Sequence, residues 1–252
     1  MSSAIDLDMV RRLEELAFRG WPALESRDVR GWRLRFSRGY TKRANSINAL
    51  GPEAPTDDET VRALEGAYRE RDQQPVWRLS PLAPAGINDR LIGPAYRTIE
   101  RSLVQVAPLR ADAVAHPDMS IDAEPTPQWL DAFAVHSPVP PHHRDTMHRM
   151  LAAIAPPKGF AFVQQDGEPL AMAIGVVQGD HMGLFDVLVM PQARRRGLAR
   201  RLTESLYAWA YAHGARFAYL QVVATNAAAM PLYAAQGFRT LYAYEYRIPS
   251  AP

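Results

Sequence analysis

The feature that most constrains the fold is a run of three strand-like segments separated by two-residue turns. Residues 159–165, 168–178 and 181–190 are apolar or alternating in polarity, and Asp166-Gly167 and Gly179-Asp180 lie between them. Short connections made of aspartate and glycine are typical of tight β-hairpins. The pattern therefore predicts consecutive hairpins in the second half of the chain.

Helix and strand patterns alternate after these three segments. Apolar residues recur at helical spacing over 198–213, and strand-like runs cover 216–224 and 238–248 on either side of a short helix over 226–237. The second half is thus predicted to be a mixed α/β unit with a mixed sheet.

The first half carries signals of the same kind. The predicted elements are a helix over 5–18, a hairpin of strands over 31–36 and 44–50, a helix with Thr56 as its N-cap, and strands over 75–82 and 97–109. The acidic, proline-bearing stretch 111–127 separates the halves and indicates a domain boundary or an edge linker. We predict an accessory domain over 1–115 and a second domain over 120–252.

Composition excludes several classes of function. The 252 residues carry a net charge of only +2, so a dedicated nucleic-acid binder is not expected and any basic site must be local. The chain contains no cysteine, which excludes disulfides, thiolate metal sites and a cysteine nucleophile. We find no leader-like segment and no long apolar run, and therefore expect a cytoplasmic protein without a membrane partner.

Five arginines surround one glycine at a predicted strand-to-helix junction. The stretch 191–201 reads PQARRRGLARR. The first turn of a helix presents unpaired N–H groups and a partial positive charge, and a glycine there lets an anion approach the backbone. The junction therefore predicts a diphosphate site rather than a solvated basic face, although it matches neither GxGxxG nor a P-loop.

The same residues resemble the GNAT family of N-acetyltransferases. The segment Arg194–Ala199, RRRGLA, is similar to the family's pyrophosphate loop, Arg/Gln-x-x-Gly-x-Gly/Ala. Downstream, Asn226, then Leu232-Tyr233, then Gln236-Gly237-Phe238 are similar to its later motif, Asn…Leu-Tyr…x-Gly-Phe. The resemblance covers residues 125–248 and implies a GNAT fold there. The layout of the first half resembles a degenerate GNAT-like half without a pyrophosphate loop.

The resemblance implies an N-acetyltransferase that uses acetyl-CoA as co-substrate and lets an amine attack the thioester directly. The amides of 195–199 would hold the pyrophosphate, the strand end at 187–189 would pair with the pantetheine arm, and Tyr233 would protonate the departing thiolate. A phenol of pKa about 10 is nearly matched to a thiol for that transfer. The implied cofactor-binding residues are Val187, Leu188, Val189, Arg194, Arg195, Arg196, Gly197, Leu198, Ala199, Arg200 and Asn226.

Two carboxylates are candidate general bases. Asp186 lies on the strand that leads into the arginine loop, next to the expected thioester, and Glu245 lies on the last strand. Either could deprotonate the acceptor's ammonium group, directly or through water. We favour Asp186, while a hydrogen-bonded structural role for this carboxylate stays open.

The candidate acceptor contacts are Arg43, Asn45, His143 and Tyr246. Arg43 and Asn45 belong to a polar block that is otherwise typical of a hydrated hairpin, and Tyr246 is one of three tyrosines that alternate on the last strand. His143 and His148 are five residues apart, a spacing that does not place two imidazoles on one helical face, so no metal is predicted.

Two other interpretations stay open at this point. An acyl-CoA-binding regulatory protein would keep the arginine loop without turnover, and a nucleic-acid-binding module would use the arginines directly. The sequence identifies neither the acceptor, a small molecule or a peptide amine, nor the oligomeric state, for which a homodimer stays open.

Overall fold

The computed structural model describes residues 5–137 and 139–250. The chain divides into two compact units. The first unit consists of the described residues up to Val104, with Val222–Asn226 and the described residues from Thr240 onward. The second consists of Gln105–Gln221 and Ala227–Arg239. The predicted domain boundaries, 1–115 and 120–252, stay a prediction.

The first unit is a mixed sheet with three helices among its described residues. Its elements are α1 (Leu7–Gly20), β1 (Glu25–Val29), β2 (Trp32–Phe36), β3 (Ile47–Ala49), α2 (Asp58–Arg69), β4 (Trp77–Leu79), α3 (Ala85–Arg90), β5 (Tyr96–Pro108) as far as Val104, and β11 (Arg239–Pro249) from Thr240. The strand order is β1-β2-β3-β4-β11-β5. The pair β3–β4 is parallel, and the pairs β1–β2, β2–β3 and β4–β11 are antiparallel.

The predicted strand over 31–36 is largely buried in this unit, including Arg35 between its apolar residues. Trp32, Leu34 and Phe36 on β2 are all buried, and the indole of Trp32 packs edge-on against that of Trp77 at 5.3 Å between ring centres. Edge-to-face aromatic pairs stabilise a core beyond the area they bury. The sheet of the first unit therefore has an aromatic core on one face of β2.

Two details of the first half differ from the prediction. The N-cap of α2 is Asp57 and not Thr56, because the Asp57 carboxylate accepts hydrogen bonds from both the amide and the hydroxyl of Thr60, at 2.9 and 2.8 Å. The predicted strand over 44–50 is shorter, since Lys42–Ala44 forms a 3-10 turn and only Ile47–Ala49 is extended.

The second unit contains the predicted hairpins. Its elements are β6 (Ser120–Asp122), α4 (Pro127–His136), α5 (Arg144–Ala152), β7 (Lys158–Gln165), β8 (Glu168–Gln178), β9 (His181–Val189), α6 (Leu198–Ala212), β10 (Phe217–Val223) as far as Gln221, and α7 (Ala229–Ala235). The strand order is β10-β9-β8-β7-β6, and β6 is an edge strand within the stretch predicted as an edge linker. The strands β6 to β9 pair antiparallel, and β9 and β10 pair parallel across the crossover helix α6. Both units have the mixed α/β architecture that was predicted.

Local conformation explains why the hairpins form where predicted. Asp166 and Gly167 both have positive φ, 53° and 84°, as the two central residues of a type I′ turn require. A Cβ atom at Gly175 would lie 3.0 Å from Leu206, so glycine lets α6 lie close against β8. The hairpins and α6 thus fix the frame on which the candidate site is built.

Candidate functional site

Strand β9 carries a β-bulge at the predicted general base. The pairing of β9 with β8 shifts between Met172 and Ile174, so that Asp186 and Val187 together lie opposite Ala173. Asp186 has a φ of 46°, in the left-handed region that few residues other than glycine and asparagine or aspartate adopt. The half-buried Asp186 side chain is thus aimed by a local irregularity of the strand.

The strands β9 and β10 stop pairing immediately before this bulge. Their parallel pairing runs from His181–Leu184 on β9, whereas β9 continues to pair with β8 as far as Val189. Within the described chain, the side of residues 187–189 that faces away from β8 has no strand partner. The gap exposes a short length of strand edge beside Asp186.

Alternation along β9 decides which peptide groups face this gap. The amide of Met190 donates to the carbonyl of Leu170 on β8, at 3.0 Å. Because successive residues of a strand direct their peptide groups to opposite sides, Leu188 also faces β8, while Val187 and Val189 face away from it. Of the three predicted pantetheine contacts, two therefore offer backbone donors and acceptors to the gap.

Helix α6 begins without a side-chain cap. Its N-cap, Gly197, has a φ of 75° and is exposed, and the first intrahelical bond joins the amide of Arg201 to the carbonyl of Gly197, at 3.1 Å. The amides of Leu198, Ala199 and Arg200 precede that bond and have no partner within the helix. A Cβ at Gly197 would meet no atom within 4 Å, so the positive φ, and not space, favours glycine. The helix start is suited to hold an anion.

The arginines around this helix start divide into two groups. Arg194–Arg196 are exposed in the loop, and the middle one has a φ of 62°. On the helix, Arg200 pairs with Glu204 at 2.7 Å, and Arg201 pairs with Asp118 at 2.6 Å. The loop arginines are therefore the stronger candidates for phosphate contacts, because the helical pair already has carboxylate partners.

The predicted acid, Tyr233, is a buried phenol on α7. It is 7% exposed, and its ring lies 5.7 Å from that of Phe238. Burial and the carboxylate of Asp186 raise the pKa of Tyr233 to about 12. The phenol therefore keeps its proton at neutral pH, and the structure brings Asp186 and Tyr233 close enough to interact.

This pKa is higher than the value of about 10 expected from the sequence. The raised pKa makes transfer of the phenolic proton to a thiolate less favourable than it is for a tyrosine in water. The shift arises because burial and a nearby negative charge both oppose the phenolate. Tyr233 is consequently protonated at neutral pH, and in the free protein its pKa is not matched to that of a thiol.

Two further predicted residues lie in the first unit. Asn226 is exposed in the turn that follows β10, and its backbone N–H donates to the carbonyl of Val223 at 2.9 Å. Glu245, the second candidate base, accepts a hydrogen bond from Nε of Arg247 at 2.7 Å. The Glu245 carboxylate is thus engaged by a neighbouring guanidinium, and the choice between the two candidate bases stays a prediction.

The predicted acceptor contacts differ in their burial and in the groups that they contact. Asn45 is buried and its amide makes four hydrogen bonds to the backbone of residues 37–41, so the polar block is not a hydrated hairpin but a buried support for this loop. The guanidinium of Arg43 lies 5.0 Å from the ring centre of Trp21. Tyr246 is 1% exposed, and burial raises its pKa well above the usual value.

His143 is half-buried at the start of α5. Burial and the neighbouring His142 lower its pKa, which keeps the imidazole neutral at pH 7. Across residues 5–137 and 139–250, no three histidine or carboxylate side chains are grouped to hold a metal ion. No helix in the same described ranges is both long and apolar enough to span a membrane.

Sequence reasoning missed the polar contacts that join α6 to α7. Thr203 and Tyr207, one helical turn apart on α6, both hydrogen-bond the side chain of Gln236. Their spacing of four residues was a usable signal, because it places both on one face of the helix. Gln236 was noted only as part of a motif, and nothing in the sequence pairs it with these two residues.

The fold and this site together define a class of protein. The architecture is that of an acyltransferase of the GNAT type. It combines a mixed sheet, a strand with a β-bulge, two parallel strands that stop pairing, and a helix start without a side-chain cap beside several arginines. Over residues 8–247 the chain matches the family described as "Probable histone acetyltransferase Rv0428c C-terminal". The chain belongs to this family of GNAT N-acetyltransferases.

Similar proteins agree with that assignment. The uncharacterized N-acetyltransferase YobR of Bacillus subtilis (strain 168) is 28% identical over 249 residues, which cover 96% of this chain and 99% of YobR. A GCN5-related N-acetyltransferase from Kribbella flavida superposes with a TM-score of 0.67 at 15% identity, covering 96% of each chain. A tandem GNAT protein from the clavulanic acid biosynthesis pathway gives 0.60 at 11% identity, covering 95% of this chain and 88% of its own. These structures confirm the predicted GNAT fold with a GNAT-like first half.

Proposed function

We propose that this protein transfers an acetyl group from acetyl-CoA to a primary amine, by direct attack of the amine on the thioester. One observation carries the proposal. The Asp186 carboxylate and the Tyr233 phenol interact within the same compact unit that holds the uncapped start of α6. A base, an acid and an anion site are the groups that such a transfer needs.

The start of α6 fits the diphosphate of coenzyme A. Its first amides have no partner within the helix, no side chain caps them, and the exposed arginines 194–196 add positive charge beside them. An anion bound there would be stabilised by hydrogen bonds and by the helix dipole. Acetyl-CoA, when bound, supplies a thioester with an electrophilic carbonyl carbon and a thiolate leaving group.

The open edge of β9 fits an extended, amide-bearing arm. Val187 and Val189 direct their peptide groups away from β8, into the gap left by β10. A pantetheine chain carries two amides and could pair with this edge as an added strand would. One of these backbone N–H groups would also polarise the thioester carbonyl, which stabilises charge that develops there during attack.

The side chains then account for each proton. The amine nitrogen forms a bond to the carbonyl carbon as the carbon–sulfur bond breaks. Tyr233 donates its phenolic proton to the sulfur, and Asp186 accepts the proton lost by the ammonium group, directly or through water. The ammonium nitrogen loses two protons in all: Asp186 accepts the first and releases it to solvent, and the second, lost as the amide forms, returns through water to the Tyr233 phenolate. The net products are the acetamide, coenzyme A and one proton, and no enzyme nucleophile is consumed, in keeping with a chain that has no cysteine.

The acceptor is proposed as a primary amine on a small molecule or a peptide. A negatively charged Asp186 beside the reaction centre would attract an ammonium group. Arg43, Asn45, His143 and Tyr246 stay as proposed acceptor contacts, of which the buried Asn45 is the least suited because its amide is fully used by the backbone. Since the family's description names a histone acetyltransferase, lysine-bearing basic peptides belong in any panel of acceptors.

Binding and turnover can be measured separately. Isothermal titration with acetyl-CoA tests the site, and absence of heat at millimolar ligand would remove the proposal. Release of free thiol, read with an aromatic disulfide reagent over a panel of amines, tests the reaction. The protein contributes no thiol background because it lacks cysteine. Binding without turnover on any amine would instead support a regulatory acyl-CoA-binding protein.

A further inference from the structure

One glutamine side chain links the two helices of the second unit that carry the proposed chemistry. Nε2 of Gln236 donates to the hydroxyl of Thr203 at 2.6 Å, and the hydroxyl of Tyr207 donates to Oε1 of Gln236 at 3.1 Å. Thr203 and Tyr207 lie on α6, and Gln236 is the C-cap of α7. A single amide therefore joins the two helices through both of its ends.

The direction of these hydrogen bonds is fixed by the backbone of α6. The Thr203 hydroxyl donates to the carbonyls of Ala199 and Arg200, at 3.0 and 2.9 Å, so its oxygen has only acceptor capacity left for Gln236. Tyr207 in turn uses its one proton on Gln236. Only a side chain that donates at one end and accepts at the other satisfies both partners, and an amide does so.

Both partners on α6 are buried, so the arrangement is closely determined. Thr203 is fully buried and Tyr207 is 8% exposed. Buried polar groups are costly when a partner is removed, which gives such a network one preferred geometry. The position of α7 against this face of α6 is therefore set by hydrogen bonds as well as by apolar packing.

Each end of the link lies next to a group of the proposed reaction. On α6, Thr203 bonds the carbonyl of Ala199, a residue of the turn proposed to hold the diphosphate. On α7, the backbone N–H of Gln236 donates to the carbonyl of Tyr233, at 3.1 Å, so the glutamine lies at the end of the helix that carries the phenol. The side-chain link thus joins the helix that begins at the anion site to the helix that carries the proposed proton donor.

We propose that Gln236 is a positioning residue, which fixes the Tyr233 phenol relative to the acyl group held by the start of α6. This inference rests on the proposed function. It assigns to Gln236 no contact with substrate; its effect passes through Thr203 and Tyr207. A misplacement of a reacting group by about 1 Å can lower a rate by up to about a hundredfold.

The test compares variants of the full chain by two separate readouts. Gln236→Met keeps the length of the side chain but loses both hydrogen bonds, and Gln236→Glu keeps an acceptor for Tyr207 but loses the donor to Thr203. Gln128→Met is the matched control, because Gln128 makes its hydrogen bond to the turn carbonyl of Gly167, at 2.9 Å, away from these helices. Each variant is assayed for kcat by thiol release and for the Kd of coenzyme A by calorimetry.

We expect kcat to fall by about tenfold in Gln236→Met, and by less in Gln236→Glu, while the Kd of coenzyme A stays within about twofold. The control should keep both values. A kcat loss under about threefold would overturn the positioning role, and so would a Kd that weakens in step with kcat. Hydrogen bonds that serve only the folded structure would change thermal stability or binding but would leave the chemical step unaffected.

Two further sets of variants test the positioning role of Gln236. If Gln236→Met does not fold, Tyr207→Phe removes a single hydrogen bond of the same network and is judged by the same criteria. The double variant Thr203→Val/Gln236→Met should lose no more activity than the worse single variant, since both break one link; additive losses would contradict it. Absence of turnover in the wild-type protein would overturn the proposed function itself, whereas normal wild-type turnover with an unaffected Gln236→Met would overturn only this inference.

Discussion

Burial and the carboxylate of Asp186 together raise the pKa of Tyr233 to about 12, which links a bulged strand to a short helix within one compact unit. The two residues are 47 positions apart in sequence, and Asp186 lies at the bulge of β9. A protonated phenol that is influenced by a nearby carboxylate offers a candidate acid and a candidate base within the same unit.

Replacing Asp186 with asparagine should lower the pKa of Tyr233. Loss of the negative charge favours the phenolate, so the pKa should fall below 12, yet burial should hold it above 10. The measurement is an NMR pH titration of protein labelled at the tyrosine Cζ, with Tyr233→Phe to assign the signal. An unchanged titration in Asp186→Asn would show that the two side chains do not interact.

Replacing Gly197 with alanine should weaken both folding and coenzyme A binding. The left-handed conformation costs a non-glycine residue about 1–2 kcal/mol, and no atom lies near enough to add a steric cost. The helix start should relax and misalign its free amides. Gly179→Ala is the matched control, because Gly179 also has a positive φ and open space around it but lies in a hairpin turn. Equal losses of affinity in the two variants would contradict the assignment of the anion site.

Removing the charge of the exposed loop should weaken coenzyme A binding in a salt-dependent way. In the triple alanine variant of residues 194–196 we expect the Kd to rise by about tenfold or more at low ionic strength, with a shallower dependence on salt. Arg110→Ala removes a similarly exposed arginine, paired with Asp112, and should leave the Kd unchanged. Calorimetry at two salt concentrations measures both effects, and a salt dependence equal to that of the wild type would argue against phosphate contacts.

Replacing Glu14 with alanine should destabilise the first unit severely. Glu14 forms a buried ion pair with Arg78, and it also accepts a hydrogen bond from Tyr242 at 2.6 Å. Removing one partner of a buried pair costs about 3–5 kcal/mol, because the remaining charge is left without compensation. Denaturant unfolding measures the loss.

The adjacent residue provides the control for that prediction. Glu15 pairs with Arg33 at 2.7 Å, but its side chain is 38% exposed, so Glu15→Ala should cost less than about 1 kcal/mol. Similar losses for the two variants would show that burial does not set the strength of these pairs.

The hairpins and α6 could be predicted from the sequence, because turn residues and helical periodicity lie within short segments. Asp166-Gly167 is an example, since both residues have the positive φ that the turn needs. Strand β1 was not predicted, because the sequence ESRDV is polar, exposed and without alternation. It is a strand only through pairing with β2.

The site could be predicted only in part for the same reason. The anion site at Gly197 follows from a contiguous motif and its place before a helix. The bulge at Asp186 depends on the register between β8 and β9, and the buried bonds of Asn45 depend on a loop that folds over it. Such features arise from pairing between distant segments, which no local pattern records.

The role of Tyr233 as proton donor is tested most directly by replacing it with phenylalanine. With saturating acetyl-CoA and a reactive amine, thiol release should show a kcat lower by about a hundred- to ten-thousandfold in Tyr233→Phe, because a general acid contributes on that scale. The Kd of coenzyme A should stay within about twofold. The control Tyr211→Phe, at a half-buried position near the C-terminal end of α6, should behave as the wild type. A Tyr233→Phe protein with wild-type kcat would contradict the assignment of this phenol as the acid.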